Sequence, residues 1–200
     1  GLGHRMGEIT STHPKCMTEI SLYDTILSRQ LKQLVAYGIT EVVITTGYFD
    51  TVLVEYCNSL HLNLKCTFVK NPLFDTTNYI YSIYCAKSHL DDDIVLMHGD
   101  LVFDNLVLEN VVESKESCMA VSSTLPLPEK DFKAVIKDGL IEKVGIEFFE
   151  NAMAAQPLYK INKEDWLVWL DNICKFCESD NRKCYAENAF NEVSGKCIIK

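Results

Sequence analysis

The 200 residues make one domain of ordinary size, and a balance of 48% hydrophobic to 24% charged residues supports a core without disulfide staples. Nineteen basic against 28 acidic residues give a net charge of −9, which excludes a duplex-wide nucleic-acid footprint but leaves room for a local basic pocket. No apolar run of about 18 residues and no secretory leader pattern occurs, so neither membrane insertion nor export is expected. The nine cysteines read as reduced, buried thiols, and a cytoplasmic location is the expectation.

Both ends read as cut within a fold. Gly1-Leu2-Gly3-His4-Arg5 is a turn of the kind that follows a buried strand, and Cys197-Ile198-Ile199-Lys200 is an apolar run with no turn after it. The expectation is a segment of a longer chain, lacking a first strand and a C-terminal piece. Between the ends, Tyr23-Asp24-Thr25 offers caps for a helix whose face is Ile26, Leu27, Leu31, Leu34 and Val35, with Gly38 as its stop. Glu41 to Thr46 is a β-branched run, read as a buried strand. Asp50 is the expected cap of a second helix, residues 64–69 form a strand, and Thr76 or Thr77 is expected to start a third helix. Ile94-Val95-Leu96-Met97 is a wholly apolar strand. Helices between continuous apolar strands indicate a mostly parallel, Rossmann-like sheet covered on both faces.

Past residue 117 the rhythm changes. Residues 119–124 read as a strand, and residues 132–136 and 140–144 as a hairpin turning at Asp138-Gly139. Asn162 precedes a long helix with Trp166, Trp169, Leu170, Ile173 and Cys177 on one face. Tryptophans at that spacing are core residues more often than a base-stacking platform. The whole is one α/β domain with an antiparallel extension, divided into residues 1–125 and an acceptor-binding part, 126–200.

Ligands of open parallel sheets bind at the carboxyl ends of the strands, and three segments fall there. The first runs from Gly1 to Gly7 and on to Pro14-Lys15, where glycines let backbone N–H groups approach an anion and Arg5 and Lys15 neutralise it. It fits neither the dinucleotide fingerprint nor the Walker loop. The second is His98-Gly99-Asp100, where a carboxylate at a strand exit suits Mg²⁺ carrying phosphates, or caps the next helix or turn. The third is Thr46-Gly47-Tyr48 with Asn71-Pro72 and Thr77-Asn78-Tyr79, whose small and amide groups are able to meet a base edge or simply to form turns and caps. Cys174, Cys177 and Cys184 resemble half of a zinc site, but their helical spacing favours core thiols, and no histidine falls at a ligand spacing.

Taken in order, these segments resemble the nucleotidyltransferase family that activates sugar phosphates and small phosphorylated alcohols with an NTP. The matches are G-x-G-x-R…P-K (Gly1, Gly3, Arg5, Pro14, Lys15), the segment from Gly38 to Gly47-Tyr48, Asn71-Pro72, T-N-x-x-Y-S-I-Y from Thr77 to Tyr84, and Gly99-Asp100 after the apolar strand. The threonine-asparagine segment is similar to that of the branch handling phosphocholine and related amine phosphates or phosphonates with CTP. Tyr185-Ala186-Glu187-Asn188-Ala189 is similar to a further motif of that branch.

The resemblance implies a GT-A-like nucleotidyltransferase fold, an Mg²⁺-dependent reaction, and CTP (or another NTP) with a small phosphate or phosphonate acceptor as partners. It implies that Gly1, Leu2, Gly3 and Arg5 hold the β- and γ-phosphates and that Lys15 bridges the α-phosphate and the attacking oxygen. Asp100 beside Gly99 would hold the metal, and Gly47, Tyr48, Asn71, Thr77 and Asn78 would line the base pocket. Tyr81, Lys133, Tyr185, Glu187 and Asn188 are the acceptor-side candidates, with Glu187 and its aromatic neighbours suited to an ammonium. A homodimer or a fusion to another domain is left open. The alternatives are a sugar-1-phosphate nucleotidyltransferase and a nucleotide-binding module without turnover.

Overall fold

The computed structural model describes residues 12–200. Two cores organise the fold. The first elements are α1 (Ile26–Ala36), β1 (Glu41–Thr46), α2 (Asp50–Ser59), β2 (Lys65–Lys70) and α3 (Tyr79–Ala86). Then come β3 (Ile94–Met97), α4 (Asn105–Glu113), β4 (Cys118–Ser122), β5 (Lys133–Lys137), β6 (Leu140–Gly145), β7 (Ala152–Ile161), α5 (Lys163–Glu178) and α6 (Ala186–Asn191).

Thr25 starts α1 through a capping box: its side chain accepts from the Ser28 N–H, and Ser28 Oγ accepts from the Thr25 N–H. At the other end Gly38 adopts φ +80°, and the Ile39 N–H returns to the Leu34 carbonyl. β1 and β2 then pair in parallel from Glu41↔Lys65 to Thr46↔Lys70, with α2 as the crossover that parallel pairing requires. Asp50 is the first residue of α2, not its cap, and its carboxylate accepts from the Thr46 hydroxyl. The third helix is capped by Asn78, whose side chain takes the Tyr79 N–H, while the Thr77 hydroxyl donates to the Leu73 carbonyl.

The larger sheet is antiparallel, in the order β3-β7-β5-β6, with β4 also on β7. Parallel pairing among the described residues is thus confined to β1 and β2, and β3 meets the long return strand β7 instead of a parallel neighbour. The β5–β6 hairpin turns at Asp138 and Gly139, both with positive φ (53° and 76°), as a two-residue turn matching strand twist demands. α4, an element with no sequence expectation, buries Leu108 and Val111.

One core gathers Trp166, Trp169, Ile173 and Cys177 of α5 with Tyr159 and Ile161 of β7, Ile80 of α3 and Phe190 of α6. The tryptophans pair edge to face at 5.6 Å and are wholly buried, so the periodicity reading holds. A second core joins α1, α2 and α4 to β1, β2 and β3 and includes Leu158 of β7. No helix of the described residues is long and apolar enough to cross a membrane.

Replacing Thr25 with alanine removes the cap of α1 and half of its reciprocal box. The expected cost is about 1 kcal/mol, read as a lower urea midpoint at unchanged slope.

Candidate functional site

Three loops follow the carboxyl ends of β1, β2 and β3, and those after β1 and β2 meet where Gly47 and Tyr48 lie against Phe74. The one after β3 carries His98-Gly99-Asp100 and is tied down on several sides. The His98 N–H donates to the Pro157 carbonyl of β7, and the Leu101 N–H closes a turn onto the His98 carbonyl. From α1, the Gln30 side-chain amide donates to the carbonyls of His98 (3.0 Å) and Leu101 (2.8 Å).

Lys15 reaches this turn from a short 3₁₀ segment, Lys15–Met17, that follows Pro14 and is linked to α1 by the Ile26 N–H donating to the Thr18 carbonyl. Its ammonium lies 2.6 Å from Asp100 Oδ2, with both side chains about two-fifths exposed. Partial burial works against the Asp100 charge, but the Lys15 hydrogen bond and charge outweigh it and hold the carboxyl below the usual range. Asp100 is therefore ionised at neutral pH, as a cation site or ion pair requires. Burial lowers the pKa of the neighbouring His98 to about 4 despite Asp100. The His98 ring packs against Tyr79 at 4.6 Å and Phe132 at 5.9 Å, and its Nε2 has no partner among the described residues.

The loops after β1 and β2 are built differently. Gly47 is needed for space, because a Cβ there would lie 3.0 Å from that of Phe74. Tyr48 beside it is largely exposed. The Asn71 side chain is spent on its own loop: it donates to Thr77 Oγ1 (3.0 Å) and Ser82 Oγ (3.1 Å) and accepts the Leu73 N–H. Asn78 is engaged as the cap of α3. These residues shape the strand ends more than they offer free polar edges.

On the acceptor side, Tyr185 meets Phe132 at 5.2 Å and Tyr79 at 6.1 Å, which joins the α6 segment to the surroundings of His98. Asn188 accepts the Tyr185 N–H and fixes that corner. Glu187 is 1% exposed; its Oε1 accepts from the Tyr159 hydroxyl at 2.9 Å, and its Oε2 has no partner among the described residues. Burial pushes its pKa up to about 8, so it is a protonated acid at neutral pH and not a solvated helix-start carboxylate. Phe190 is packed in the core against Trp169 and does not reach the site.

Lys133 is fully buried, its ammonium donating to the carbonyls of Pro128 and Asp131 and lying 4.2 Å from the Phe149 ring centroid. It points into its own loop. Tyr81 stacks on Tyr84 with the Arg182 guanidinium over its face. Gly1, Leu2, Gly3 and Arg5 lie outside the described residues. Cys174, Cys177 and Cys184 belong to no cluster of three or more metal-ligating side chains among the described residues.

The structure thus unites Lys15 with Asp100, and Tyr185 with the Tyr79–His98–Phe132 aromatic group. Sequence reasoning missed Gln30 and Phe132, and it met Tyr79 only as the last residue of the Thr77-Asn78-Tyr79 segment. Gln30 did leave a signal, an amide three and four residues from Leu27 and Ile26 on a face otherwise apolar.

The chain is similar to known proteins in sequence and in fold. The family model described as "Domain of unknown function (DUF6564)" matches residues 12–138. The CMP-5'-(3-aminopropyl)phosphonate synthase of Streptomyces rubellomurinus is 35% identical over 127 residues, 64% of this chain and 20% of that protein. The CTP:phosphoglutamine cytidylyltransferase of Campylobacter jejuni is 27% identical over 127 residues, 60% of this chain and 49% of its own. Those alignments therefore span half or less of the curated relatives. The inositol-1-phosphate CTP transferase of T. maritima superposes with a TM-score of 0.78 at 18% identity, covering all of this chain and 80% of that one. The fold is that of the nucleotidyltransferases.

Glu187 generates a pH prediction. Its folded pKa of about 8 lies above the ordinary value of 4.5, so the native state keeps a proton that the unfolded chain releases. Its contribution is fully present below 4.5 and is lost as pH rises through 8. Glu187→Gln should therefore gain stability relative to wild type between about pH 5 and pH 9, measured as the difference in urea midpoint.

Proposed function

The chain belongs to the DUF6564 family, with nucleotidyltransferases as its relatives and structural neighbours, and on that premise we propose that it transfers CMP from CTP to a small phosphonylated or phosphorylated amino compound. The observation that carries this reading is the Lys15–Asp100 pair, 2.6 Å apart at the exit of β3. In this reading Lys15 is the handle for a phosphate anion and Asp100 the handle for the cation that travels with it. The Streptomyces relative, whose name specifies an aminopropylphosphonate, supports the choice of acceptor class.

An ionised oxygen of the acceptor's phosphate or phosphonate attacks the α-phosphorus of CTP. The new P–O bond forms as the bond to the β-phosphate oxygen breaks, and pyrophosphate leaves with that electron pair. Such a transfer needs positioning and charge neutralisation, not a general base. Lys15 exchanges Asp100 for the α-phosphate and the incoming oxygen, while Arg5 and the backbone of Gly1 to Gly3 take the outer phosphates. Asp100 is a single ionised carboxylate, a donor set that fits Mg²⁺ arriving with most of its ligands as phosphate oxygens and water. Asp100 would hold Mg²⁺, and the ion would supply charge neutralisation to the transferring phosphate. The acceptor's amine is assigned to the start of α6, where Tyr185 meets Phe132 and Glu187 is the acid two residues further on.

Pyrophosphate release with each of the four NTPs tests the reading. The acceptors are 2-aminoethylphosphonate, 3-aminopropylphosphonate, phosphoethanolamine, phosphocholine and glucose 1-phosphate. Release with CTP and an amine-bearing acceptor is expected. Release only with the sugar phosphate moves the protein to sugar activation, and silence throughout with measurable nucleotide binding makes it a binding module. Lys15→Ala and Asp100→Ala should each lower kcat by about 100-fold or more, as loss of one transition-state contact does. Melting temperature should change little, because the pair is partly exposed.

A further inference from the structure

α1 turns two amides toward the protein interior. Gln30 is 4% and Gln33 7% exposed, on the face that also buries Ile26, Leu27, Leu31 and Leu34. A buried amide is retained where its donors have specific partners. The Gln33 amide donates to the Phe103 carbonyl (3.1 Å) and to Asn105 Oδ1 (2.8 Å), at the start of α4. Gln30 instead uses both N–H groups on the carbonyls of His98 and Leu101, at either end of the turn that carries Asp100. Gly99 within that turn contributes backbone freedom and no side chain to lock it. The direction of the Asp100 carboxylate is therefore set by what grips residues 98 and 101.

We propose that Gln30 is a positioning residue for Asp100, holding the turn so that the carboxylate presents to a divalent cation carried by a nucleotide. The inference rests on the function proposed above. Gln30 is too deep to touch substrate and acts only through the turn. The His98 carbonyl accepts both the Leu101 N–H and the Gln30 amide, so removing the amide leaves the turn held only by its own hydrogen bond and frees Asp100 to swing. The same helix holds the Lys15 segment through the Thr18 carbonyl, so α1 sets the distance between the two charged groups from both sides.

The test compares Gln30→Met with Gln33→Met on the full chain. Both remove a buried amide from the same helix, but only the first frees residues 98–101. Mn²⁺ binding in the presence of CTP, read by electron paramagnetic resonance, is measured beside the Mg²⁺ concentration for half-maximal pyrophosphate release. Gln30→Met should weaken both by about 10- to 100-fold, the usual effect of removing a group that orients a metal ligand. Gln33→Met should match wild type in both while losing comparable thermal stability. Gln30→Asn keeps the amide but shortens its reach by a methylene, and should fall between; it decides the matter if Gln30→Met does not fold. Wild-type Mn²⁺ affinity in the Gln30 variants, or an equal loss in Gln33→Met, overturns the inference. Asp100→Asn separates the two levels. If that variant still binds Mn²⁺ with CTP, the cation role of Asp100 falls; if it does not and Gln30→Met does, only the role of Gln30 falls.

Discussion

β7 is the strand on which both cores close. Adjacent residues of a strand face opposite ways, so Leu158 enters the core under α1, α2 and α4 while Tyr159 enters the one built on α5. The strand pairs with β3, β4 and β5 together, and its Pro157 carbonyl receives the His98 N–H just past the end of β3. A proline has no N–H to give the ladder, but its carbonyl is free to accept, and here it fixes the start of the Asp100 turn. The site is thereby referenced to the most heavily paired strand of the molecule, while its charged atoms stay at the surface.

That arrangement separates two kinds of acid. Asp100 is partly exposed and paired with Lys15, so its charge is kept and can be handed from one partner to another. Glu187 is enclosed by aromatic and apolar residues, with only a tyrosine hydroxyl on one oxygen, so its charge is suppressed. An ammonium brought to it would exchange for a proton, whereas a neutral sugar hydroxyl would not. The same functional group is thus charged at one position and neutral at the other, and burial decides which.

Much of the fold was legible because local chemistry and global pairing agree. Residues 41–46 and 94–97 are strands as their β-branched and apolar runs indicate, and Asp138-Gly139 turns the hairpin as its backbone preference requires. The antiparallel placement of β3 was not legible, since an apolar run announces burial and not the direction of its neighbour. The cap of α3 was displaced by one residue because Thr77 and Asn78 compete, and the asparagine wins when the Leu73 carbonyl claims the threonine. The union of Lys15 and Asp100 followed from family resemblance, not spacing, for 85 residues separate them. Gln30 was passed over because an amide in an apolar stripe reads as an imperfection until the carbonyls opposite it are seen.

A net charge of −9 stands at odds with the triphosphate ligand of the proposed function, and the distances resolve it. Exposed acids more than about 8–10 Å from the bound phosphates are screened at physiological salt, so the global charge sets solubility and encounter rate. Affinity is decided within a few ångströms, where the structure places Lys15 against Asp100. With that pair closed, the turn presents neither an unpaired carboxylate to repel phosphate nor a bare ammonium to trap other anions. On the proposed function, a nucleotide carrying its own cation would satisfy both halves at once, and a ligand bearing only one charge would leave the other half unpaired. Under the proposed function, preference for the metal–nucleotide complex over either component alone would follow from the pairing itself, before any contact to the base is made.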